Sequence, residues 1–146
     1  AALDFILNMK IQRIEKLGIR FLVKTNMDSI KINESDFIVL MGNMLDNAIE
    51  ATEKCSREKR EIMLNLQEVN DLFLVTVENT AIANPEQKNG RFMTSKKNEK
   101  EHGWGIQSMK HIVAKYGGDI EFKYECEKFR VEITFWKGEL KDEMGD

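Results

Sequence analysis

The stretch Phe37–Thr52, FIVLMGNMLDNAIEAT, decides the reading of this chain. At about 100° per residue, Phe37, Leu40, Met41, Met44, Leu45, Ala48 and Ile49 fall on one broad apolar arc, as in a helix seated on a core. Asn43, Asn47, Glu50 and Lys54 gather within an arc of roughly 60° on another side. Asn47 stands at the edge of the apolar arc, where an amide without a partner costs about 1–3 kcal/mol. Asn and Glu on a helix most often face solvent or are satisfied locally. A carboxamide pair followed by a carboxylate at i, i+4, i+7 also has the chemistry to hold a hydrated divalent cation and the phosphates it carries.

Working outward, Leu3, Ile6, Leu7, Ile11, Ile14 and Leu17 recur at helical spacing, and Gly18 ends that helix. One short helix has little to bury such a stripe against, so residues 1–18 read as the stump of a helical bundle. Ile19–Thr25 reads as a strand, and Ser35 or Asp36 is a candidate cap for the long helix that follows. That helix should fade in the charged stretch EKCSREKR. The alternation of Ile62, Leu64 and Leu66, the run Leu72–Val77 and the Asn70-Asp71 turn between them predict a hairpin. From Thr80 to Glu101 no period holds, and the only Pro, Pro85, lies there; such a stretch reads as a lid or disorder. HGWGIQSMKHIVAKYGG then reads as a glycine-rich turn opening a helix, with Ile106, Met109, Ile112, Val113 and Tyr116 on its apolar face. Ile120–Tyr124 and Phe129–Trp136 form a closing hairpin, and 138–146 a frayed tail. The expected architecture is an α+β, two-layer α/β sandwich: a mixed, mostly antiparallel sheet with helices packed on one face.

Composition narrows the function. The chain has 146 residues, 42% apolar and 32% charged, which suits one domain and not a disordered segment. No apolar run approaches the roughly 18 residues that span a membrane, and no signal peptide is visible. A net charge of −3 gives no case for nucleic-acid binding. Cys55 and Cys126 share no motif spacing, and with two His they make no zinc set. Two scattered Cys fit a reducing compartment. The chain opens at Ala1 directly in helical periodicity, so it reads as a piece of something longer.

Three further features carry chemistry. Gly103 and Gly105 bracket Trp104 before a helix. Glycine lets a backbone approach a phosphate, and a helix start offers unpaired N–H groups with about half a positive charge. Such a turn is an anion seat or a simple helix entry. Lys96 and Lys97 in TSKKNEK are solvated loop cations or reach a triphosphate. Asn79, after LFLVTVE, has a carboxamide able to pair with an adenine edge, with Glu78 the alternative contact according to which side chain points inward. A turn Asn bonding its own backbone is the simpler option.

In order, GNMLDNAIEA, VENT, TSKK and HGWGI resemble the N-box, adenine-contact box, lid and glycine box of the GHKL (Bergerat) nucleotide-binding fold of gyrase, the ninety-kilodalton heat-shock chaperone, sensor histidine kinases and MutL. The likeness covers about Ile19–Trp136. LDNAIEA, VEN, TSKK and HGWGI look most like quorum-sensing kinases of the accessory-gene-regulator type, and LDFILNMKIQRIEKLGIRF looks like the segment joining their dimerisation helices to the ATP domain. The resemblance implies ATP and Mg²⁺ as ligands. It gives Asn47 to the metal, Asn43 to the phosphates, Glu50 to the end of the N-box and Asn79 to the adenine. Gly103, Trp104, Gly105 and Ile106 would form the glycine box, with Lys96 or Lys97 as lid cations. VENTAIA departs from the usual Asp-x-Gly-x-Gly, having no glycine, which makes the adenine contact and the affinity weaker.

Hydrolysing members carry a Glu where Asn43 stands. An amide cannot take the proton, and losing a general base costs about 10²–10⁴-fold in rate. Asn43 therefore favours a histidine kinase over an ATPase. His102 and His111 lie in or near the glycine box, so the phosphoacceptor His is expected upstream of Ala1, on the protein's own dimerisation helices. The implied partner is a response regulator, often of LytTR type, and the implied place is the cytoplasmic side of a membrane-anchored sensor. A non-catalytic interaction module and an anti-sigma-type serine kinase are the alternatives.

Overall fold

The computed structural model describes residues 2–26, 31–82 and 99–139, with backbone alone for 99–104. Helix α1 (Ala2–Lys16) leads into strand β1 (Arg20–Asn26), then α2 (Glu34–Glu53), β2 (Glu61–Val69), β3 (Leu72–Thr80), α3 (Glu99–Lys115), β4 (Asp119–Glu125) and β5 (Lys128–Trp136). The five strands lie in the order β1-β2-β3-β5-β4. β1 runs parallel to β2, and the other neighbours pair antiparallel. This is the expected mixed sheet with helices on one face.

Period-2 patterning explains the layering. Ile62, Leu64 and Leu66 of β2, Phe73, Val75 and Val77 of β3, and Phe129, Val131, Ile133 and Phe135 of β5 are all buried. They form one cluster with Phe37, Leu40, Met41, Met44, Ala48 and Ile49 of α2 and Met109, Ile112 and Val113 of α3. The intervening strand residues are half-exposed on the other face, where Arg130 joins Glu78 at 2.8 Å and Glu132 at 3.0 Å. Asn70, at φ +55°, makes the predicted β2–β3 turn.

Three local expectations change. The cap of α2 is Asn33, whose side-chain oxygen accepts from the N–H of Ser35 (2.9 Å) and Asp36 (3.2 Å). Asn, Asp and Ser cap equally well, so residue type did not discriminate among the three. α3 begins at Glu99, before the glycines and not after them, because Glu, Lys and Glu are strong helix formers that outweigh the cost of a glycine, about 1 kcal/mol. The first helix does find a partner: Ile6 and Ile14 are buried in the common core. Ile6 faces Gly42, where an added Cβ would lie 3.4 Å from Ile6 Cδ1. Lys10–Asp46 (2.7 Å) and Arg13–Glu53 (2.9 Å) continue the same parallel seam between α1 and α2. The tail beyond Glu139 lies outside the described residues.

Arg60 ties these elements together where β2 starts. Its guanidinium donates to the carbonyls of Leu17 (2.8 Å), Glu53 (2.9 Å) and Cys55 (3.0 Å), closing the ends of α1 and α2 against each other. These are orphan carbonyls of helix ends and their exits, and only a planar five-donor fork reaches all three. Arg60→Lys should therefore lower unfolding free energy by about 1.5–3 kcal/mol, read from the urea midpoint; an unchanged midpoint would mean that water serves those carbonyls equally well.

Candidate functional site

Helix α2 presents Asn43, Asn47 and Glu50 on one half-buried stripe, flanked by its core-facing row. The sequence repeat dictates this: these positions lie one and two turns apart. Among the described residues no hydrogen bond reaches the carboxamide of Asn43 or Asn47. Both amides are thus open to a ligand.

Against this stripe stands α3. Gly105 is buried, and a Cβ built on it would lie 3.5 Å from Asn43 Oδ1 and 3.7 Å from its Cγ. A Cβ there would make ordinary contact, so an alanine would fit, and a longer side chain would fill the gap. Two motifs distant in sequence are therefore joined at one place. Ile106, beside Gly105, packs half-buried on the core. Because Gly103–Gly105 lie within α3, their N–H groups are not the free donors of a helix start, contrary to the expected glycine-rich entry turn; those donors belong to the first four residues of α3. Gly103 and Trp104 are placed by backbone only, and Lys96 and Lys97 lie outside the described residues.

Asn79 sits inside β3, not after it, and is 3% exposed on the helix-facing side. The inward-or-outward choice at this strand end is thereby resolved: Asn79 points to the helices, and Glu78 points away into its ion pair with Arg130. Asn79 Nδ2 donates to the Thr80 carbonyl at 2.9 Å, and Thr52 Oγ1 from α2 reaches the same oxygen at 3.5 Å. Thr52 is fully buried and Thr80 nearly so. Thr52 lies about 180° around α2 from Asn43, so these polar groups sit on the core-facing side of the helix and not on the stripe. Thr52 and Thr80 were not singled out from sequence, since a Thr in an apolar run carries no distinct signal.

A second polar cluster pins the far end of the helix pair. Tyr116 Oη donates to Asp36 Oδ2 (2.7 Å) and accepts from the Asn33 N–H (3.0 Å), while Lys115 Nζ also meets Asp36 Oδ2 at 2.7 Å. With Asp36 near Tyr116 and Asn43 near Gly105, α2 and α3 run antiparallel. The Lys115 ammonium and then the Tyr116 hydroxyl hold the Asp36 carboxyl below its usual range. Burial first, then the Asp36 carboxylate, push the Tyr116 hydroxyl up. Sequence analysis placed Tyr116 only on the apolar face. A buried phenol needs a partner for its hydroxyl, and that was the available signal. Elsewhere, the hollow lined by Glu78, Lys123, Lys128 and Arg130 opens on the opposite sheet face, where each of these cations faces a carboxylate.

A family model described as GHKL domain matches residues 32–136. The chain is 25% identical over 125 residues to the probable C4-dicarboxylate sensor kinase of Bacillus subtilis, covering 80% of this chain and 23% of that protein. It thus spans about a quarter of the length of that curated relative. Among solved structures, the catalytic domain of histidine kinase ThkA superposes with a TM-score of 0.73 at 20% identity, covering 93% of this chain and 91% of that one. ThkA in complex with response regulator protein TrrA gives 0.70 at 18% identity, over 93% of this chain and 39% of that one.

Folding lowers the carboxyl pKa of Asp36, through Lys115 and Tyr116, of Glu61, through Lys128, and of Glu132, through Arg130. Their stabilisation is complete above the unfolded values of about 4 and is lost as pH falls below them through the folded values. The Tm should be level from about pH 7 to 5 and fall below about pH 4, with a shallower fall in Asp36→Asn, measured by circular dichroism. A decline beginning near pH 6 would assign the acid sensitivity to histidine instead.

Proposed function

Because the chain belongs to the GHKL domain family, we propose that it is the ATP-binding catalytic domain of a protein-histidine kinase, serving a His on a dimerisation helix outside these residues. The observation that carries this reading is the approach of the Gly105 backbone to the Asn43 carboxamide. It brings the glycine box to the N-box on the stripe of Asn43, Asn47 and Glu50. The nucleoside triphosphate lies with its phosphates at Gly105 and its base toward Asn79 of β3.

Each residue then has a task. Asn79 Nδ2 is engaged with Thr80, so Oδ1 accepts from the exocyclic amine of adenine. Asn43 donates to a phosphate oxygen and, as an amide, takes no proton from water, so the γ-phosphoryl is kept for the acceptor. Two glycines within three residues make the first turns of α3 the easiest part of that helix to unwind. Unwinding frees the N–H groups of Gly103–Ile106 for phosphate oxygens, and Trp104, Lys96 and Lys97 complete the enclosure. Glu50 closes the N-box beside Asn47.

The site also fits Mg²⁺. That ion takes one or two protein oxygens and completes its shell with phosphates and water. A half-buried, unpaired carboxamide on Asn47 supplies one such oxygen without a competing carboxylate cluster; no such cluster occurs among the described residues. When bound, Mg²⁺ neutralises charge that develops on the phosphates. In the transfer, the bond from Pγ to the β,γ-bridging oxygen breaks as a bond to the imidazole nitrogen forms. ADP leaves, and the imidazole proton passes to solvent.

The upstream acceptor helix is that of the protein's own dimer, with α1 as its end; the exposed Phe5 and Met9 of α1 support this. The ThkA–TrrA complex supports a response regulator as the downstream partner, of LytTR type if the chain stands with the accessory-gene-regulator-type quorum-sensing kinases, as VEN, TSKK and HGWGI suggest. The domain then works in the cytoplasm beneath a membrane anchor. Among the described residues no helix is long and apolar enough to cross a membrane.

Titration with a non-hydrolysable ATP analogue tests the site. Binding should saturate at millimolar ligand or below with Mg²⁺ and weaken at least tenfold on chelation. Asn47→Ala should abolish the Mg²⁺ effect while leaving Tm within a few degrees. No saturation at millimolar analogue would remove the kinase reading and leave the interaction module.

A further inference from the structure

Met109, Ile112 and Val113 seat α3 in the same core as α2, and Gly105 meets Asn43 at one end of the pair. Apolar packing is non-directional, so directed polar contacts set how the two helices lie against each other. The second fixed point on the α2–α3 pair is the cluster at its opposite end, where Tyr116 Oη bridges the Asp36 carboxylate (2.7 Å) and the Asn33 N–H (3.0 Å). Asp36 lies about 10 Å from Asn43 along α2, and Tyr116 about 16 Å from Gly105 along α3. The Tyr116 ring is itself set edge-on to Phe135 of the sheet, at 6.3 Å and 90°. The hydroxyl is therefore held by core packing and aimed at the start of α2.

We infer that Tyr116 and Asp36 are positioning residues: by pinning the end of α3 to the start of α2, they set how closely the Gly105 backbone approaches Asn43, and so set affinity for the phosphates of the nucleotide without touching them. The inference rests on the nucleotide reading of the site. Two features give it a direction. The pin acts on α3, which carries the glycine box, while Asn79 sits on β3 and is fixed by the sheet and by Thr80. A loosened α3 moves the phosphate end of the cleft and leaves the base end where it is. The bond is also of the strong class, a phenol on an ionised carboxylate, while Lys115 meets the same oxygen from a half-exposed position without reaching the core.

The test compares two ligands in four proteins. Mg²⁺ with a non-hydrolysable ATP analogue, and adenosine alone, are titrated into wild type, Tyr116→Phe, Asp36→Asn and the double variant, with Tm measured for each. Tyr116→Phe keeps the ring on Phe135 and removes only the hydroxyl. The expected result is a five- to tenfold weaker triphosphate in each single variant, adenosine within twofold of wild type, and a double variant no weaker than the weaker single. Lys115→Met should change neither ligand by more than twofold. Equal weakening of both ligands would make the cluster a matter of general stability and overturn the inference. Unchanged triphosphate affinity in Tyr116→Phe would overturn it while leaving the nucleotide reading intact. Absence of saturation in wild type would overturn both.

Discussion

The structure depends on one helix having three neighbours at once. The buried row of α2, from Phe37 to Ile49, closes the sheet; Gly42, Asp46 and Glu53 receive α1; Asn43 and Asp36 receive α3. A helix offers only so many faces at 3.6 residues per turn, and here three neighbours share them. Asn43 and Asn47 sit between the row that packs on the sheet and the row that faces α1, so their carboxamides are held half-buried by packing on both sides.

This explains how polar side chains without hydrogen-bond partners come to stand at a boundary. Asn43 and Asn47 are both half-buried, so water reaches their carboxamides in the free protein and a ligand can take its place.

Much of the architecture was legible because it follows from periodicity. The apolar arc of α2, the alternation in β2, the run Leu72–Val77 of β3 and the Asn70 turn each map onto a single element. What was not legible lay where several residues are chemically equivalent or where polar groups meet across the fold. Asn33, Ser35 and Asp36 can all cap a helix, and only tertiary structure shows that Asp36 is spared for Tyr116. The start of α3 was misplaced because glycine punctuates sequence more strongly than it breaks a helix with good formers on both sides. The exact orientation at Glu78 and Asn79 needed the register of β3 against β5. The partners of α1 were missed because its stripe has no partner within its own sequence neighbourhood. The candidate site was readable as motifs; their meeting at Asn43 and Gly105 was not, since no local pattern encodes a contact between residues so far apart.

The Arg60 fork has a bearing on where this folding unit begins. The family model starts at residue 32, yet one of the three carbonyls that Arg60 satisfies belongs to Leu17, and among the described residues β1 is the strand partner on that side of β2. A protein trimmed to residue 32 would keep every nucleotide motif and still lose a covering helix, an edge strand and a cation's full complement of acceptors. It would also bare the backbone of β2 as a sticky sheet margin open to self-association. The stretch that the family model matches and the stretch that packs as one core are therefore different lengths, and α1 and β1 act as scaffold for a site to which they contribute no motif.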